Sequence, residues 1–420
     1  MKKNYRHPFK ETALEKNLKA HEEKYKTSVF ISHPGLQHSH QLALALHEQG
    51  ILQEFYSGVP IIAKDSETPF WMPEKYAKKI KKVDIPVNLR KHPVIFQALL
   101  RAGKLLPSTY SKSDWNHRIF HAFDWWTSKR IIKLKPKVVV AYENSAYYTF
   151  RAAKTIGAKC ILDAPAFHHA TAADLNKEKI TPYLSEINRR KDEEVELADL
   201  ILTCSKIAAE SYIQAGVPLQ KIQAILLGAT PPSTHAPQPW LPHNRPLKFI
   251  FAGALRKLKS IDLILEAFTK LHREGFSFQI EFIGGQTESG WIDKISLLPE
   301  ANYIPAVDQS TLFQIMSNAD CLLLPSRYDS FGMVVAEAMA VGTPAIVSSH
   351  TGAKEIIEKF PKAGWIIEPT SESLYECLKN RITDRETLFL ARQAAKEASR
   401  YFTWEAYRQR IGNIITNQIT

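Results

Sequence analysis

The amino-acid sequence predicts an α/β protein with two doubly wound domains, each a parallel sheet covered by helices. Short apolar runs alternate with helix-like segments, and four such runs lie in the first half, at residues 28–35, 138–144, 159–165 and 199–205. Strands and helices that alternate in this way form parallel sheets covered by helices. A proline-rich stretch at residues 229–246 interrupts the alternation, which then restarts. Because proline fits neither a helix interior nor a central strand, this stretch predicts an interdomain linker.

The predicted domain boundaries follow from these changes in pattern. With 420 residues, the chain is long enough for two domains of ordinary size. The predicted parts are a polar arm at 1–27, a first domain at 28–228, the linker at 229–246, a second domain at 247–400 and a C-terminal helix at 401–420. The arm is rich in lysine and glutamate, which predicts a solvated segment, and we assign it no chemistry.

Composition and charge narrow the class of protein. Hydrophobic residues make up 45% of the chain and charged residues 23%, as in soluble globular proteins, and the net charge of +12 predicts attraction to anions. Nucleotide donors, lipid headgroups, acidic glycans and nucleic acid are all anionic, but no dense basic stripe with interleaved aromatic residues favours nucleic acid. No apolar run has the length of a membrane span and none follows the basic start, so we expect a cytoplasmic protein.

The cysteines predict neither a zinc site nor a disulfide framework. Cys160, Cys204, Cys321 and Cys377 lie far apart, mostly within or beside predicted strands and helices. Structural zinc sites and disulfide-rich scaffolds place their cysteines at short, regular spacings. We therefore expect four reduced cysteines in the core.

The segment at residues 321–348 is the most informative part of the chain. It combines an apolar strand, a polar loop that contains Asp329, and an apolar helix that carries Glu337. The neighbours of Glu337 within 333–341 are all apolar, which predicts a buried helix. A buried ionised carboxylate is costly unless it is paired or hydrogen-bonded, and a ribose diol would supply two donors. The segment therefore suggests a sugar-nucleotide site.

The junction between this strand and this helix predicts an anion site. Asp329, Ser330, Phe331 and Gly332 occupy the junction, where free backbone N–H groups and the helix dipole favour an anion such as pyrophosphate. Gly332 would let that anion approach the backbone. The alternative is that Asp329 or Ser330 caps the helix and that Glu337 pairs with an arginine. The residues by themselves leave both interpretations open.

The spacing of these residues resembles that of retaining glycosyltransferases of family four, whose signature is glutamate, seven residues, glutamate. Here Asp329 stands in the place of the first glutamate and Glu337 in the place of the second. Two further strings, at 189–230 and 251–268, are similar to the family's sequences, so the resemblance covers nearly the whole chain after residue 28. It implies a GT-B fold, in which two Rossmann-like domains face each other across a cleft and the C-terminal helix crosses back to the first domain.

The resemblance also implies a set of donor-binding residues, which are Gly35, Arg256, Lys259, Ser330, Phe331, Gly332 and Glu337. Lys259 matches the lysine of the family's phosphate loop, whereas Ala254 occupies the usual arginine place and Ser260 the usual second glycine. Arg256 lies two residues after the missing arginine. Cations here would stabilise the negative charge of the departing nucleotide diphosphate. As an isolated run, the same segment would also fit an exposed basic loop.

Two residues are candidates for catalysis. By the resemblance, Asp329 would contact hydroxyls of the transferred sugar, and His168 would orient that sugar as a hydrogen-bond donor. His168 and its neighbour His169 could equally be structural. Glu143, at the end of another predicted strand, could contact the acceptor, although capping the following helix fits it better. Helix dipole and cations would take the place of a metal, so no metal or cofactor is expected.

The predicted function is therefore the transfer of a sugar, with retention of configuration, from a nucleotide-sugar donor to a glycan or lipid-linked acceptor. The alternatives are a nucleotide-sugar epimerase of the same architecture and a non-catalytic nucleotide-sugar binding protein. The basic segment at 75–93 could contact an anionic membrane, or it could be a solvated loop. No nucleic-acid partner is expected. Polysaccharide or lipid-linked glycan assembly is the commonest setting of the family that the chain resembles.

Overall fold

The computed structural model describes residues 28–63, 81–105, 112–177, 180–231 and 245–419. The predicted arm at 1–27 therefore lies outside the described residues, as do most of the predicted linker and the start of the basic segment at 75–93. The described chain divides into two compact units. Unit 1 consists of Met1–Asp163, Thr181–Ile201 and Ile411–Thr420, and unit 2 of Ala164–Ile180 and Leu202–Arg410. The predicted boundaries at 228 and 247 flank undescribed residues and stay a prediction.

The strands form two large sheets and one small one. The strands are β1 (Val29–His33), β2 (Leu52–Ser57), β3 (Ile61–Ala63), β4 (Lys81–Val83), β5 (Arg90–Lys91), β6 (Val138–Tyr142), β7 (Lys159–Asp163), β8 (Leu200–Thr203), β9 (Ile222–Ala224), β10 (Leu247–Ala252), β11 (Phe278–Ile283), β12 (Ala301–Ile304), β13 (Cys321–Leu324), β14 (Ala345–Ser348) and β15 (Gly364–Ile367). The large sheets have the orders β5-β2-β1-β6-β7-β8-β9 and β12-β11-β10-β13-β14-β15, and β3 pairs with β4.

Helices separate most of these strands. The α-helices are α1 (Ser39–Glu48), α2 (Val94–Ala102), α3 (Lys112–Leu134), α4 (Tyr147–Thr155), α5 (His169–Asn176), α6 (Pro182–Leu197), α7 (Lys206–Gln214), α8 (Ile261–Arg273), α9 (Trp291–Ser296), α10 (Gln309–Ser317), α11 (Met333–Ala340), α12 (Lys354–Lys359), α13 (Ser371–Thr383), α14 (Arg385–Ser399) and α15 (Trp404–Ile419). The pairings from β1 to β2 and β6, and from β10 to β11 and β13, are parallel. The predicted parallel sheets with alternating helices are confirmed.

The core of unit 2 shows why these segments fold as they do. Helix α8 buries Ile261, Ile264, Phe268 and Leu271, whose spacing of three and four residues places them on one face. Phe268 packs against Phe249 of β10, with ring centroids 5.4 Å apart. Alternate residues of β10 and β11 join the same cluster. This packing fixes the sheet whose carboxyl ends carry the candidate site.

The cysteines and the helices test two further predictions. Cys160, Cys204 and Cys321 are buried, and all four cysteines are free, as the sequence predicted. Within the residues that the structure describes, no helix combines the length and the apolar character that crossing a membrane requires. Helix α15 contributes its residues up to Arg410 to unit 2 and its residues from Ile411 to unit 1.

Candidate functional site

A cavity of about 460 Å³ opens at the carboxyl ends of strands β10, β11 and β12 in unit 2. Its walls come from the loops after these strands and from helices α10 and α11. The lining residues are Ala252, Gly253, Ala254, Ile283, Gly284, Gly285, Thr287, Ala306, Val307, Leu312, Met333, Val334 and Glu337. Open parallel sheets bind ligands at the carboxyl ends of their strands, beside the point where the strand order reverses. In this sheet the order reverses between β10 and β13.

Gly284 brings two of these loops into close contact. Its φ is +146°, and a Cβ atom at this position would lie 1.9 Å from the carbonyl oxygen of Gly253. Only a residue without a side chain fits such a contact, so the glycine is needed for the shape of the cavity floor. The pair Gly284 and Gly285 directly after an apolar run was a signal in the sequence that our sequence analysis did not use.

Glu337 is the only acidic residue among those that line this cavity. Helix α11 buries Val335, Ala336, Ala338 and Met339, but Glu337 itself is half-buried. Its Oε1 accepts a hydrogen bond from Nε2 of Gln309 at 3.1 Å. The expectation of a fully buried helix is therefore wrong at this position, because the cavity opens beside the carboxylate. Glu337 consequently faces a space that a ligand can fill.

Asp329 occupies the loop between β13 and α11. Its Oδ1 accepts hydrogen bonds from the backbone N–H groups of Phe331 at 3.3 Å and Gly332 at 3.1 Å. Its Oδ2 accepts a hydrogen bond from Nζ of Lys259. An aspartate often bonds to the backbone two or three residues ahead, and this is the capping arrangement that the sequence also allowed. The two amides expected to be free for an anion donate to Asp329 in this structure.

Gly332 holds the backbone conformation at the start of helix α11. Its φ is +82°, and an added Cβ would lie 2.5 Å from Cδ2 of Leu324 and 3.1 Å from Cβ of Ala353. Glycine is thus required for the left-handed conformation and for packing. After Gly332, the N–H groups of Met333 and Val334 lie in the first helical turn, which has no preceding turn to bond to. Both residues line the cavity.

Comparison with known proteins identifies the part of the chain that contains this cavity. Residues 234–400 match the family described as Glycosyl transferases group 1. The match covers less than half of the chain. The glycogen synthase of Mycobacterium tuberculosis is 24% identical over 269 residues, which are 62% of this chain and 59% of the synthase. The chain thus matches less than two-thirds of the length of that relative.

Solved structures show the same fold over nearly the whole chain. Sucrose-phosphate synthase from Thermosynechococcus elongatus matches with a TM-score of 0.63 and 16% identity, over 93% of this chain and 99% of that chain. Anabaena HepE in complex with UDP matches with a TM-score of 0.61 and 14% identity, over 93% of this chain and all of that chain. At such identities the likeness concerns the fold. The protein has the GT-B fold with two Rossmann-like domains, which confirms the predicted fold class.

The loop between β10 and α8 is the segment that resembles the family's phosphate loop, and we call it the phosphate loop. Lys259 pairs with Asp329, and both side chains are largely buried. Ala254, at the usual arginine place, lines the cavity, whereas Arg256 does not. Arg256 instead donates from Nη2 to Oδ1 of Asn176 at 3.2 Å. The structure therefore brings Lys259 to the loop of Asp329 but directs Arg256 toward helix α5.

Ser260 stands at the place where the family that the chain resembles usually has a second glycine. Its φ is +61°, so it adopts the left-handed conformation that glycine enters without steric cost. The residue is fully buried at the start of helix α8. Its Oγ lies 3.5 Å from Nη1 of Arg327.

Arg327 is a residue of the site that our sequence analysis missed. Its guanidinium makes two hydrogen bonds of 2.7 Å to the carboxylate of Asp262 and one of 2.6 Å to the carbonyl of Lys257. Such bidentate pairs have fixed geometry. Arg327 therefore ties the loop after β13 to the phosphate loop. Its position two residues before Asp329 was the available signal.

Ser330 and Phe331 complete the loop before helix α11. The carbonyl of Ser330 accepts hydrogen bonds from Oγ of Ser205 and from Sγ of Cys204 at 3.3 Å. The side chain of Phe331 is buried. Ser205 also caps helix α7 by accepting from the N–H of Ala208 at 3.1 Å. The conformation of the loop is consequently fixed by residues far away in the sequence.

His168 has a structural role in the described contacts. It precedes helix α5 and its Nδ1 accepts a hydrogen bond from the N–H of Ala170 at 3.3 Å. Its own N–H donates to Oγ of Ser211 at 2.9 Å, and its ring packs edge-on against Tyr212. The ring is buried, whereas His169 is half-buried. These contacts fit the structural alternative that the sequence left open.

Gly35 lies in unit 1, after strand β1. Its N–H donates to Nδ1 of His33 at 2.8 Å, and its carbonyl accepts from Oγ of Ser57 at 3.1 Å. Burial lowers the pKa of His33 to about 3, so the imidazole is neutral at pH 7 and can accept this hydrogen bond. Nearby, Nε2 of His38 lies 3.0 Å from Oδ2 of Asp163. The loop at Gly35 is thus held by its own histidine.

Two buried acids of unit 1 were also missed by our sequence analysis. Glu194 accepts hydrogen bonds from the N–H groups of Asn144, Ala146 and Tyr147 at 2.7, 2.9 and 3.1 Å. Asp124 accepts from the next two N–H groups of helix α4. Burial raises the pKa of Glu194 to about 8 and that of Asp124 to about 6. These acids cap the helix.

The expectation that Glu143 would cap helix α4 is therefore wrong. Its carboxylate instead lies 3.1 Å from Nζ of Lys191. The N-terminus of α4 is already occupied by the carboxyl groups of Asp124 and Glu194, which reach it from helices α3 and α6. A carboxyl oxygen at such an N-terminus accepts hydrogen bonds from the N–H groups of the first helical turn.

Proposed function

We propose that this protein is a retaining glycosyltransferase of family four, which moves a sugar from a nucleotide-sugar donor to a glycan or lipid-linked acceptor. The observation that carries the proposal is the cavity within the part of the chain that matches Glycosyl transferases group 1. The carboxylate of Glu337 lies on one wall of this cavity, and the first turn of α11 lies beside it. An apolar cavity with a few convergent polar groups is typical of small-molecule sites. The GT-B fold supports the same class of reaction.

The donor would bind with its nucleoside in this cavity. Glu337 would accept hydrogen bonds from the ribose diol, because a carboxylate is a hydrogen-bond acceptor. The pyrophosphate would lie at the first turn of helix α11, where the N–H groups of Met333 and Val334 and the helix dipole favour negative charge. The amides of Phe331 and Gly332 would join them only if Asp329 releases them. A donor role for Ser330, Arg256 and Gly35 stays a prediction.

Lys259 would supply the positive charge for the leaving group. As the glycosidic bond breaks, negative charge grows on the nucleotide diphosphate, and a preorganised cation stabilises it. Lys259 would give up its hydrogen bond to Asp329 and donate to the phosphate instead. Asp329 would then be released toward the hydroxyl groups of the transferred sugar. This exchange couples the two residues in one step of donor binding.

Retention of configuration would follow from front-side attack on the anomeric carbon. The acceptor hydroxyl forms the new bond from the side on which the phosphate leaves, and the departing phosphate oxygen takes the proton of that hydroxyl. No protein base is then required. His168 would orient the transferred sugar, and helix dipole and Lys259 would act in place of a metal ion. The acceptor would bind to the first domain, and a membrane contact at 75–93 stays a prediction.

The experiment is a donor screen with the purified full chain. We expect nucleotide release from one of a panel of UDP-, GDP- and ADP-sugars, and faster release when a glycan or lipid-linked acceptor is added. Proton NMR of the product gives the anomeric configuration, and an arm with EDTA tests metal independence. An altered sugar without acceptor would indicate an epimerase. Donor binding without turnover under any condition would indicate a binding protein and would contradict the proposal.

A further inference from the structure

A second cavity, of about 520 Å³, lies in unit 1. Strand β2 contributes Glu54 and Tyr56, and edge strand β5 contributes Arg90 and Lys91. Helix α3 contributes Trp126, Arg130 and Lys133, which its spacing of four and three residues places on one face. The cavity belongs to a different unit from the candidate donor cavity, and its residues Arg90 and Lys91 belong to the basic segment at 75–93.

Arg90 is a buried cation in this cavity. Arg90 is 8% exposed, and its Nη1 donates a hydrogen bond to the carbonyl of Ile61 at 2.8 Å. Within the described part of the chain, its Nε has no hydrogen-bond partner and no carboxylate pairs with it. Burial lowers the pKa of Arg90 from its usual value. A buried guanidinium is costly unless it is paired or hydrogen-bonded, so an anion that reaches its Nε would stabilise Arg90.

The other charges of the cavity have the same sign. Arg90, Lys91, Arg130 and Lys133 line it with positive charge, and Glu54 is the one acid among its described lining residues. Burial and the neighbouring Arg90 lower the pKa of His92, so this residue adds a neutral ring at pH 7. Low-dielectric walls strengthen the potential of a concentrated set of charges. The excess of cations favours an anion that carries more than one negative charge.

Aromatic rings make one wall of the cavity rigid. The ring of Trp126 packs edge-on against Tyr56, with centroids 5.3 Å apart, and Arg130 lies over the indole at 5.0 Å. A guanidinium held over a ring loses less freedom when it binds an anion. Val87 lines the cavity and is 74% exposed, and Ile95, two residues after the lining residue Pro93, is 63% exposed. The surroundings are therefore both cationic and apolar.

We propose that this cavity binds a phosphate group. The phosphate would accept hydrogen bonds from the guanidinium groups of Arg90 and Arg130, whose planar forks match its oxygens, and Lys133 would add charge at the entrance. A phosphate monoester carries up to two negative charges, which fits the excess of cations. Free phosphate compounds and the headgroups of anionic lipids share this chemistry. The exposed Ile95 would contact the bilayer only in the second case.

The test compares the wild-type full chain with Arg130→Gln/Lys133→Gln. The control is Lys129→Gln/Lys137→Gln, which removes the same charge from exposed lysines outside the cavity. The probes are inorganic phosphate and glycerol 3-phosphate in calorimetry, and vesicles of phosphatidylcholine with or without phosphatidylglycerol in co-sedimentation. We expect the cavity variant to bind at least about tenfold more weakly than the wild type, because two charge-assisted hydrogen-bond donors are lost.

The arms distinguish the source of the phosphate. If the cavity variant loses binding of the soluble phosphates and the control keeps it, the result supports a site for a free phosphate compound. If the cavity variant loses binding to anionic vesicles and Ile95→Ser weakens it, the result supports a site for a lipid headgroup. Equal binding by the wild type and the cavity variant for every probe overturns the proposal. Equal losses in the control and the cavity variant also overturn it, since they would show attraction to net charge alone. Thermal unfolding confirms that each variant is folded.

Discussion

Nζ of Lys259 donates a hydrogen bond to Oδ2 of Asp329, so that a residue expected at the donor phosphate and one expected at the donor sugar hold each other. The side chains of Lys259 and Asp329 are 23% and 17% exposed. The pair links the phosphate loop to the loop that begins helix α11. An anion that binds Lys259 must therefore compete with the carboxylate of Asp329.

The first prediction concerns the coupling between these two residues. In a double-mutant cycle with Lys259→Ala and Asp329→Ala, we expect a coupling free energy of about 1–3 kcal/mol, the range of a charged and sheltered hydrogen bond. Urea unfolding of the four proteins measures it. The exposed pair of Lys270 and Glu372, with a distance of 3.0 Å, is the control and should show no measurable coupling. Equal coupling in the two pairs would show that the burial of Lys259 and Asp329 adds nothing.

The second prediction concerns Glu337. Replacement by Gln keeps the shape but removes the charge, so we expect nucleotide affinity to fall about tenfold, the scale of one charged hydrogen bond. Calorimetry with the donor identified in the screen measures this change. Glu368→Gln, at an exposed position outside the cavity, is the matched control and should bind as the wild type does. Unchanged affinity in Glu337→Gln would remove this carboxylate from the donor site.

The third prediction separates two reasons for the glycine at 332. Gly332→Ala places a residue at φ +82° and brings its Cβ to 2.5 Å from Cδ2 of Leu324, whereas Gly290→Ala has φ +83° and no atom within 4 Å. We expect the first variant to lose about 1–3 kcal/mol more unfolding free energy than the second, because only the first adds overpacking to the backbone cost. Chemical denaturation measures both. Equal losses would mean that Leu324 and Ala353 move aside without cost.

The fourth prediction concerns pH. The pKa of His33 is about 3 in the folded protein, below the ordinary value of 6.5, because the ring is buried and lies near His38. Between these values the unfolded chain binds more protons, so the stabilising contribution of His33 is present above pH 6.5 and is lost as pH falls toward 3. The loss approaches about 1.4 kcal/mol per pH unit at most.

The matched variant for this prediction is His33→Asn, whose amide oxygen can take the place of Nδ1 without titrating. As pH is lowered from 7 to 5, we expect the free energy of unfolding of the wild type to fall relative to that of the variant. Denaturant unfolding at each pH measures both. His92, His117 and His121, whose pKa values burial also lowers, titrate in both proteins and cancel in the comparison. A difference that is constant with pH would contradict a neutral buried His33.

Local patterns in the sequence were enough for much of the fold. The parallel sheets followed from alternating apolar runs and helices, since side-chain periodicity is a local property of the chain. The left-handed Gly332 and Ser260 and the apolar neighbours of Glu337 are local as well. Contacts between distant residues were not predictable in this way. Asp124 and Glu194 cap helix α4 from 24 and 48 residues away, and no short motif connects them to it.

The sequence by itself determined the class of fold and the apolar neighbours of Glu337, and it gave the donor residues as a prediction. The tertiary structure alone decided how those residues are paired. Lys259 meets Asp329 across 70 residues and Arg327 meets Asp262 across 65, while Arg256 turns to Asn176. The physical reason is that a charged side chain takes the partner that the folded backbone brings within hydrogen-bond distance, which depends on packing of the whole sheet. The same reason explains the cationic cavity of unit 1, where β2, β5 and α3 bring together residues that have no pattern in common.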